Sequence, residues 1–301
     1  MVKALREQTG AGMMDCKVAL SENDGDATSA IYWLRSKGLS KAAKKSGRVA
    51  AEGLVGAATG VNCGVLVEVN AETDFVARNG QFQDLVRRIA SIALEVGGDL
   101  IAISSSPFPG SSNNVADHIV EQVSTIGENI NFRRSTRLSI NNGVVSSYIH
   151  NATAEGLGRI GVLVALESDV ESEKLASVAR QLAMHIAATN PLAVSVDELD
   201  PNVVARERSI LAEQARDSGK PEAIIDKMVE GRIRKYYEEV VLTSQTFVVD
   251  GERTVEQVIA DLAVEIGASV KIAGFERMAL GDGIEREQTD FAAEVAAAAN
   301  S

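Results

Sequence analysis

The sequence predicts an α+β protein assembled from small units. From Ala50 onward, short β-branched and aliphatic runs alternate with longer runs whose apolar residues recur at helical spacing. Before that point the pattern is helical only. Aromatics make up 4% of the chain and alanine is abundant, so cores of aliphatic side chains and many helices are expected. At 301 residues the chain has room for two or three modest domains.

Residues 1 to about 38 read as three short helices. Val2 and Leu5 mark the first, and Thr9-Gly10-Ala11-Gly12 breaks it. Met13 to Leu20 is the second. Asn23-Asp24-Gly25-Asp26 is a turn with a capping acid, after which Ala27, Ala30, Ile31 and Leu34 recur helically, with Gly38 as the stop. So small a bundle has little core, and its expected job is to bind something. Residues 37–48 form a basic linker, read either as a solvated tether or as an electrostatic contact with an acidic partner or RNA.

Glu52–Ala58 and Gly64–Asn70 read as a hairpin. The connection Glu72-Thr73-Asp74-Phe75-Val76-Ala77-Arg78-Asn79 then leads into an amphipathic helix on Phe82, Leu85, Val86, Ile89, Ala93 and Val96. A Phe in such a corner is either a plug for the chain's own core or a wedge for something else. Residues 97–114 read as a loop and 115–126 as a shorter helix. Arg133–Ile140 and Val144–His150 are strand-like, and Asn141-Asn142-Gly143 between them predicts a hairpin. Ile160–Leu166 is a further strand, followed by a helix on Leu175, Val178, Ala179, Leu182 and Ile186. The succession Gly64-Val65-Leu66-Val67 then helix is echoed by Gly161-Val162-Leu163-Val164 then helix. Two related subdomains are expected, each a small antiparallel sheet covered by helices.

Asp200-Pro201 opens a helical hairpin, with Val203, Val204, Ile210 and Leu211 facing Ile224, Ile225, Met228, Val229, Ile233 and Tyr236 across a turn at 218–221. Gln245–Val249 reads as a strand, Thr254 and Gln257 as a capping box, Ala268–Leu280 as a strand, and Thr289-Asp290-Phe291 as the cap of a terminal Ala-rich helix. The expected division is 1–48, 49–139, 140–188 with 237–280, a hairpin arm at 189–236, and a C-terminal module at 281–301.

The search for chemistry finds little. The net charge of −12 argues against a general nucleic-acid binder. Cys16 and Cys63 form no metal pattern and suit a reducing compartment. No run approaches a bilayer span and the N-terminus lacks a signal-peptide core, so a cytoplasmic protein is expected. His118, His150 and His185 stand on separate elements without a nucleophile or acid at a recognisable spacing. There is no phosphate-loop or dinucleotide motif, and neither a cofactor nor a metal is expected. The composition points to a protein that acts by touching another protein.

Several stretches carry a resemblance. Arg6-Glu7-Gln8-Thr9-Gly10-Ala11-Gly12-Met13-Met14-Asp15-Cys16-Lys17 and Glu68-Val69-Asn70-Ala71-Glu72-Thr73-Asp74-Phe75-Val76-Ala77 are long and specific. Ile126-Gly127-Glu128-Asn129-Ile130, Ser218-Gly219-Lys220-Pro221, Lys227-Met228-Val229-Glu230-Gly231-Arg232 and Thr289-Asp290-Phe291-Ala292-Ala293-Glu294-Val295 follow in order. Together they resemble the elongation factor Ts family, bacterial type. The sequence departs from the pattern at 97–114 and 151–158, where Ser/Pro/Gly- and Ala/Gly-rich insertions sit.

The resemblance implies a translation elongation factor, the guanine-nucleotide exchange factor of the GTPase elongation factor Tu, and no enzyme. It implies that the first 48 residues resemble a ubiquitin-associated domain, and that 189–236 is a coiled-coil arm for a homodimer or for docking. Thr73, Asp74, Phe75 and Val76 would dislocate Mg²⁺ from the partner, with Phe75 as the wedge. Arg6, Met13 and Met14 would grip the GTPase domain, although bundle core remains the alternative for a Met. His150 would face the partner's other domains, and Phe291 would anchor the tail. A non-catalytic adaptor or chaperone-like module stands as the other reading; a hydrolase would need a catalytic constellation.

Overall fold

The structure is a computed structural model and describes residues 1–170, 172–217 and 221–285. It is an α+β fold. The N-terminal bundle consists of α1 (Val2–Thr9), α2 (Met13–Glu22) and α3 (Ala27–Lys45). Its core is small: Leu5, Cys16, Ala19, Leu20 and Ala30 are buried, with Trp33 and Leu34 packed against them.

The first half of the core runs β1 (Glu52–Thr59), β2 (Cys63–Ala71), α4 (Gly80–Val96), α5 (Leu100–Ser105), α6 (Val115–Ile126) and β3 (Ile130–Ser139). The second half runs β4 (Gly143–His150), β5 (Leu157–Gly158), β6 (Ile160–Glu167), α7 (Glu173–Thr189), the arm helices α8 (Pro201–Arg216) and α9 (Glu222–Val240), α10 (Val255–Ile266) and β7 (Lys271–Ala279). Among the described residues, these strands pair antiparallel. One sheet has the order β3-β2-β1-β5, the other β4-β6-β7.

The two halves repeat one plan. In the first half β2 lies between β1 and β3, in the second β6 lies between β4 and β7, and β3 and β7 are each reached through helices. Helix α4 packs on the first sheet and α7 on the second. The later pair in each half, β2–β3 and β6–β7, has a register irregularity, at Glu68/Val69 and at Ala165/Leu166. The arm occupies in the second half the stretch between helices that α5 occupies in the first.

The sheets' other faces meet each other through Val55, Leu66, Leu163, Met278 and Leu280. The contact is reciprocal. A Cβ on Gly64 would lie 2.8 Å from Leu163 Cδ2, and a Cβ on Gly161 would lie 2.8 Å from Leu66 Cδ2. Each leucine seats in the space that the other strand's glycine leaves open. The order is therefore helix, sheet, sheet, helix. Buried Glu68 stitches the sheets on one side: it pairs with Arg133 and Arg134, both at the β3 edge, and accepts the Gly281 N–H at 2.8 Å just beyond β7.

Several expectations fail for identifiable reasons. Asn141-Asn142-Gly143 does not close a hairpin, because β3 pairs with β2 while β4 pairs with β6. The chain changes sheets there. Gly38 is not a helix stop. It lies inside α3, where a Cβ would meet Ser124 Oγ at 2.8 Å, so glycine lets α3 approach α6 closely. The basic stretch is accordingly no free tether: it is helical through Lys45, Lys41 pairs with Asp15, and Lys45 donates to the Gly127 carbonyl.

The 97–114 loop contains α5, capped by Asp99. Gln245–Val249 is no strand. Phe247 is buried, but the backbone N–H of Val248 goes to the His185 ring instead of a ladder. In the arm, Ile225, Val229, Ile233 and Ala215 form the seam, whereas Val203, Ile210 and Ile224 stay exposed. The terminal helix expected at 289–301, the turn residues 218–220 and Glu171 lie outside the described residues.

Candidate functional site

The corner at 72–79 is built as an extension of the first sheet. In the β2–β3 ladder Ala71 faces Ile130, so the next facing positions are Glu72 with Asn129 and Thr73 with Glu128. At these two positions carboxylates do the accepting. The Asn129 N–H donates to Glu72 Oε1 at 2.6 Å. The Thr73 N–H donates to Glu128 Oε2 at 2.9 Å, and the Thr73 hydroxyl to Glu128 Oε1 at 2.6 Å. Hydrogen bonds to an ionised acceptor are short and about twice as strong as neutral ones. Glu72 also pairs with Arg48 at 3.2 Å, and the Asn129 side-chain amide donates to the Arg48 carbonyl at 2.8 Å.

Beyond this clamp the chain turns outward and back. Asp74 and Phe75 are exposed, while Val76 and Ala77 are buried in the first half's core. A 3-10 turn over Val76–Arg78 is closed by the Arg78 N–H to the Phe75 carbonyl at 3.1 Å and by the Asn79 N–H to the Val76 carbonyl at 2.9 Å. Asn79 caps α4 by accepting from the Gln81 and Phe82 N–H groups. The Gln83 side chain donates to the Ala77 carbonyl at 3.0 Å.

Phe75 is therefore no core plug: it is 76% exposed. The aromatic that fills the core here is Phe82, fully buried one turn into α4. Asp74 makes no hydrogen bond or ion pair with any of the described residues. An acid and a phenyl ring thus project from a backbone fixed on both sides.

The bundle presents a second exposed apolar surface. Met13 is 56% and Met14 68% exposed, with Val18 one turn further along α2; neither methionine is bundle core. Arg6 is exposed on α1. Helix α3 fastens the bundle to the core along α6, with Arg35 reaching Asp117 and Gly38 lying against Ser124. Gly127, in the left-handed region at φ 88°, ends α6. The three residues 127–129 then touch both sides. Lys45 holds the Gly127 carbonyl, while Glu128 and Asn129 hold the corner.

The structure thus gathers Thr73, Asp74, Phe75 and Val76 in one turn and ties that turn, through α3, to the bundle that carries Arg6 on α1 and Met13 and Met14 on α2. His150 stands apart. It ends β4, an edge strand of the second sheet, and its ring meets the Tyr148 hydroxyl at 3.3 Å. Sequence reasoning missed Glu128, Asn129, Arg48 and Lys45 as supports. The available signal was an acid and an amide directly after a glycine helix stop. Among the described residues no group of three His, Cys, Asp or Glu is placed to hold a metal ion, and no helix is long and apolar enough to cross a membrane.

Comparison with known proteins places this geometry in context. A family model described as Elongation factor TS matches residues 72–282. Elongation factor Ts of Parvibaculum lavamentivorans is 58% identical over 299 residues, covering 99% of this chain and 97% of the relative. That of Paramagnetospirillum magneticum is 58% identical over 301 residues, 100% of this chain and 96% of the relative. That of Agrobacterium fabrum is 56% identical over 299 residues, 99% and 97%.

Proposed function

The chain belongs to the elongation factor Ts family and is a translation elongation factor, and from that premise we propose that it is a guanine-nucleotide exchange factor. It binds elongation factor Tu carrying GDP, disturbs the partner's Mg²⁺ and phosphate site, and promotes release of GDP so that GTP can bind. No bond is made or broken, and the chain needs no cofactor of its own.

The observation that carries this reading is the presentation of Phe75. A phenyl side chain left in water forgoes about 1.5–3 kcal/mol of burial free energy. That free energy becomes available when the ring enters a partner. A fixed backbone lets the ring enter without first losing conformational freedom. Phe75 inserts between elements of the GTPase domain behind its metal site, Asp74 acts on neighbouring polar groups, and Thr73 and Val76 hold the turn. The metal ligands shift, and phosphate charge that the metal neutralised is left uncompensated.

Linkage supplies the energetics. A factor that binds the empty GTPase more tightly than the loaded one weakens nucleotide binding by the same ratio. Met13 and Met14, flexible and exposed beside Val18, suit a grip on the GTPase domain, with Arg6 adding charge. His150 and the second sheet face the partner's other domains.

Release of fluorescent GDP from elongation factor Tu, followed at rising concentrations of this chain, tests the reading. A saturable acceleration is expected. Complex formation with an unchanged release rate would make the chain an adaptor and overturn it.

A further inference from the structure

We propose that Glu128 is a positioning residue for exchange. Its carboxylate, clamped on Thr73, holds the Asp74–Phe75 turn in the conformation that enters the partner. The inference rests on the exchange reading above and adds a residue and a cause to it.

A β-strand that ends leaves its next N–H groups without acceptors, and a corner leaving such an end is ordinarily loose. Here the ladder is prolonged by two steps with side chains. Glu72 and Glu128 face Asn129 and Thr73 across the strands, and each carboxylate accepts the N–H of the residue it faces. Glu128 in addition accepts the Thr73 hydroxyl at 2.6 Å, so both of its oxygens are committed to one residue. Thr73 immediately precedes Asp74 and Phe75. Without the clamp, the turn would be fixed only on its far side, by Val76 and Ala77 in the core.

The position of Glu128 adds a second role. It follows Gly127, whose carbonyl Lys45 holds from the end of α3. The same three residues therefore bear on the bundle and on the turn. Arg48, three residues after Lys45, closes the loop by pairing with Glu72. A bundle seated on the partner is thereby connected to the turn through a chain of direct contacts, not through a flexible linker.

Glu128→Gln keeps the volume and removes the charge and one acceptor oxygen. Two measurements on it are decisive. In the isolated chain, hydrogen exchange at the Thr73 amide reports the clamp itself. With elongation factor Tu and fluorescent GDP, the saturating release rate and the half-saturating concentration are read separately. The expected result is exchange at the Thr73 amide faster by about tenfold and a saturating rate lower by about tenfold, the factor that loss of one charge-assisted bond gives. Half-saturation should move by less than about threefold, because the gripping surfaces are untouched.

Thr73→Val removes the hydroxyl that donates to Glu128 but keeps the backbone N–H, and should lower the saturating rate in the same direction. Far-UV circular dichroism verifies that each variant is folded. Unchanged protection of the Thr73 amide in Glu128→Gln overturns the proposal, since the clamp then does not order the turn. Faster amide exchange with a wild-type release rate overturns it too, since the turn then needs no ordering. An equal loss of rate and affinity assigns Glu128 to binding or folding and overturns it as well. If the unaltered chain fails to accelerate release, the exchange reading falls and the positioning role falls with it, whereas protection of the Thr73 amide still reports the clamp.

Discussion

Gly143 lies so close to β6 that a Cβ on it would sit 2.1 Å from the Leu166 carbonyl oxygen, with φ at 127°. Gly53 stands in the same relation to Val69 at the start of β1, at 2.2 Å and φ 122°. Both contacts are with backbone, which cannot step aside as a side-chain end can. They mark the matching corner of the two halves of the repeat.

Alanine at either position should be severely destabilising. It adds a left-handed φ penalty to a backbone clash, for about 3 kcal/mol or more in each case. Urea denaturation of Gly53→Ala and Gly143→Ala checks this. A loss below about 1 kcal/mol in either would mean that the strand pair shifts without difficulty.

These glycines also show how far the sequence could be read. The α+β class, the two-fold echo and the helices α4, α6, α7 and α10 were legible from periodicity, because their patterns are local. Asn141-Asn142-Gly143 misleads because its glycine answers to β6, some 20 residues further on, and not to a tight turn. Gly38 misleads in the same way, since its reason is Ser124. At the candidate site, the residues 73–76 could be found by resemblance. Their supports could not, because what Glu128 touches is set by the β2–β3 register and not by its neighbours in sequence.

Glu68 gives a prediction about acid. It is fully buried. Burial acts to raise its pKa, but hydrogen bonds from the Gly281 N–H, the Asn70 amide and Arg134 together outweigh that and hold it below the usual 4.5. As pH falls, the unfolded chain takes up this proton first. The stabilisation is therefore complete above the unfolded value and is lost as pH falls through the folded one. Glu68→Gln should be less stable by about 2 kcal/mol at neutral pH and should show a shallower decline in acid. Parallel pH profiles of urea denaturation would refute this by having equal slopes below 4.5.

His185 carries a second pH dependence. It is buried between Gln245, whose Oε1 lies 2.8 Å from Nε2, and Val248, whose N–H donates to Nδ1 at 3.2 Å. Only the neutral ring, with its proton on Nε2, fits both partners. Burial lowers its pKa below the usual 6.5, against the opposing effect of Gln245. Stability should decline as pH falls below 6.5, where the unfolded chain is protonated first. His185→Gln should be less stable at pH 7.5 yet lack this slope between about pH 6.5 and 5, as thermal denaturation across that range would reveal.

The arm gives a prediction about assembly. Val203, Ile210 and Ile224 remain 39%, 43% and 46% exposed on it. We propose that a second copy covers part of this surface. Light scattering at micromolar concentration should then give twice the chain mass of 31.8 kDa. Ile210→Asp should weaken the pair by about tenfold or more. A monomer throughout would assign the arm to the partner instead.

If Phe75 drives nucleotide release and does little to hold the complex, its removal should act on rate and not on affinity. Stopped-flow release of fluorescent GDP from elongation factor Tu, with Phe75→Ala compared to the unaltered chain, tests it most directly. The saturating release rate is expected to fall by about tenfold or more, with half-saturation changed by less than about threefold. A saturating rate equal to that of the unaltered chain would contradict it.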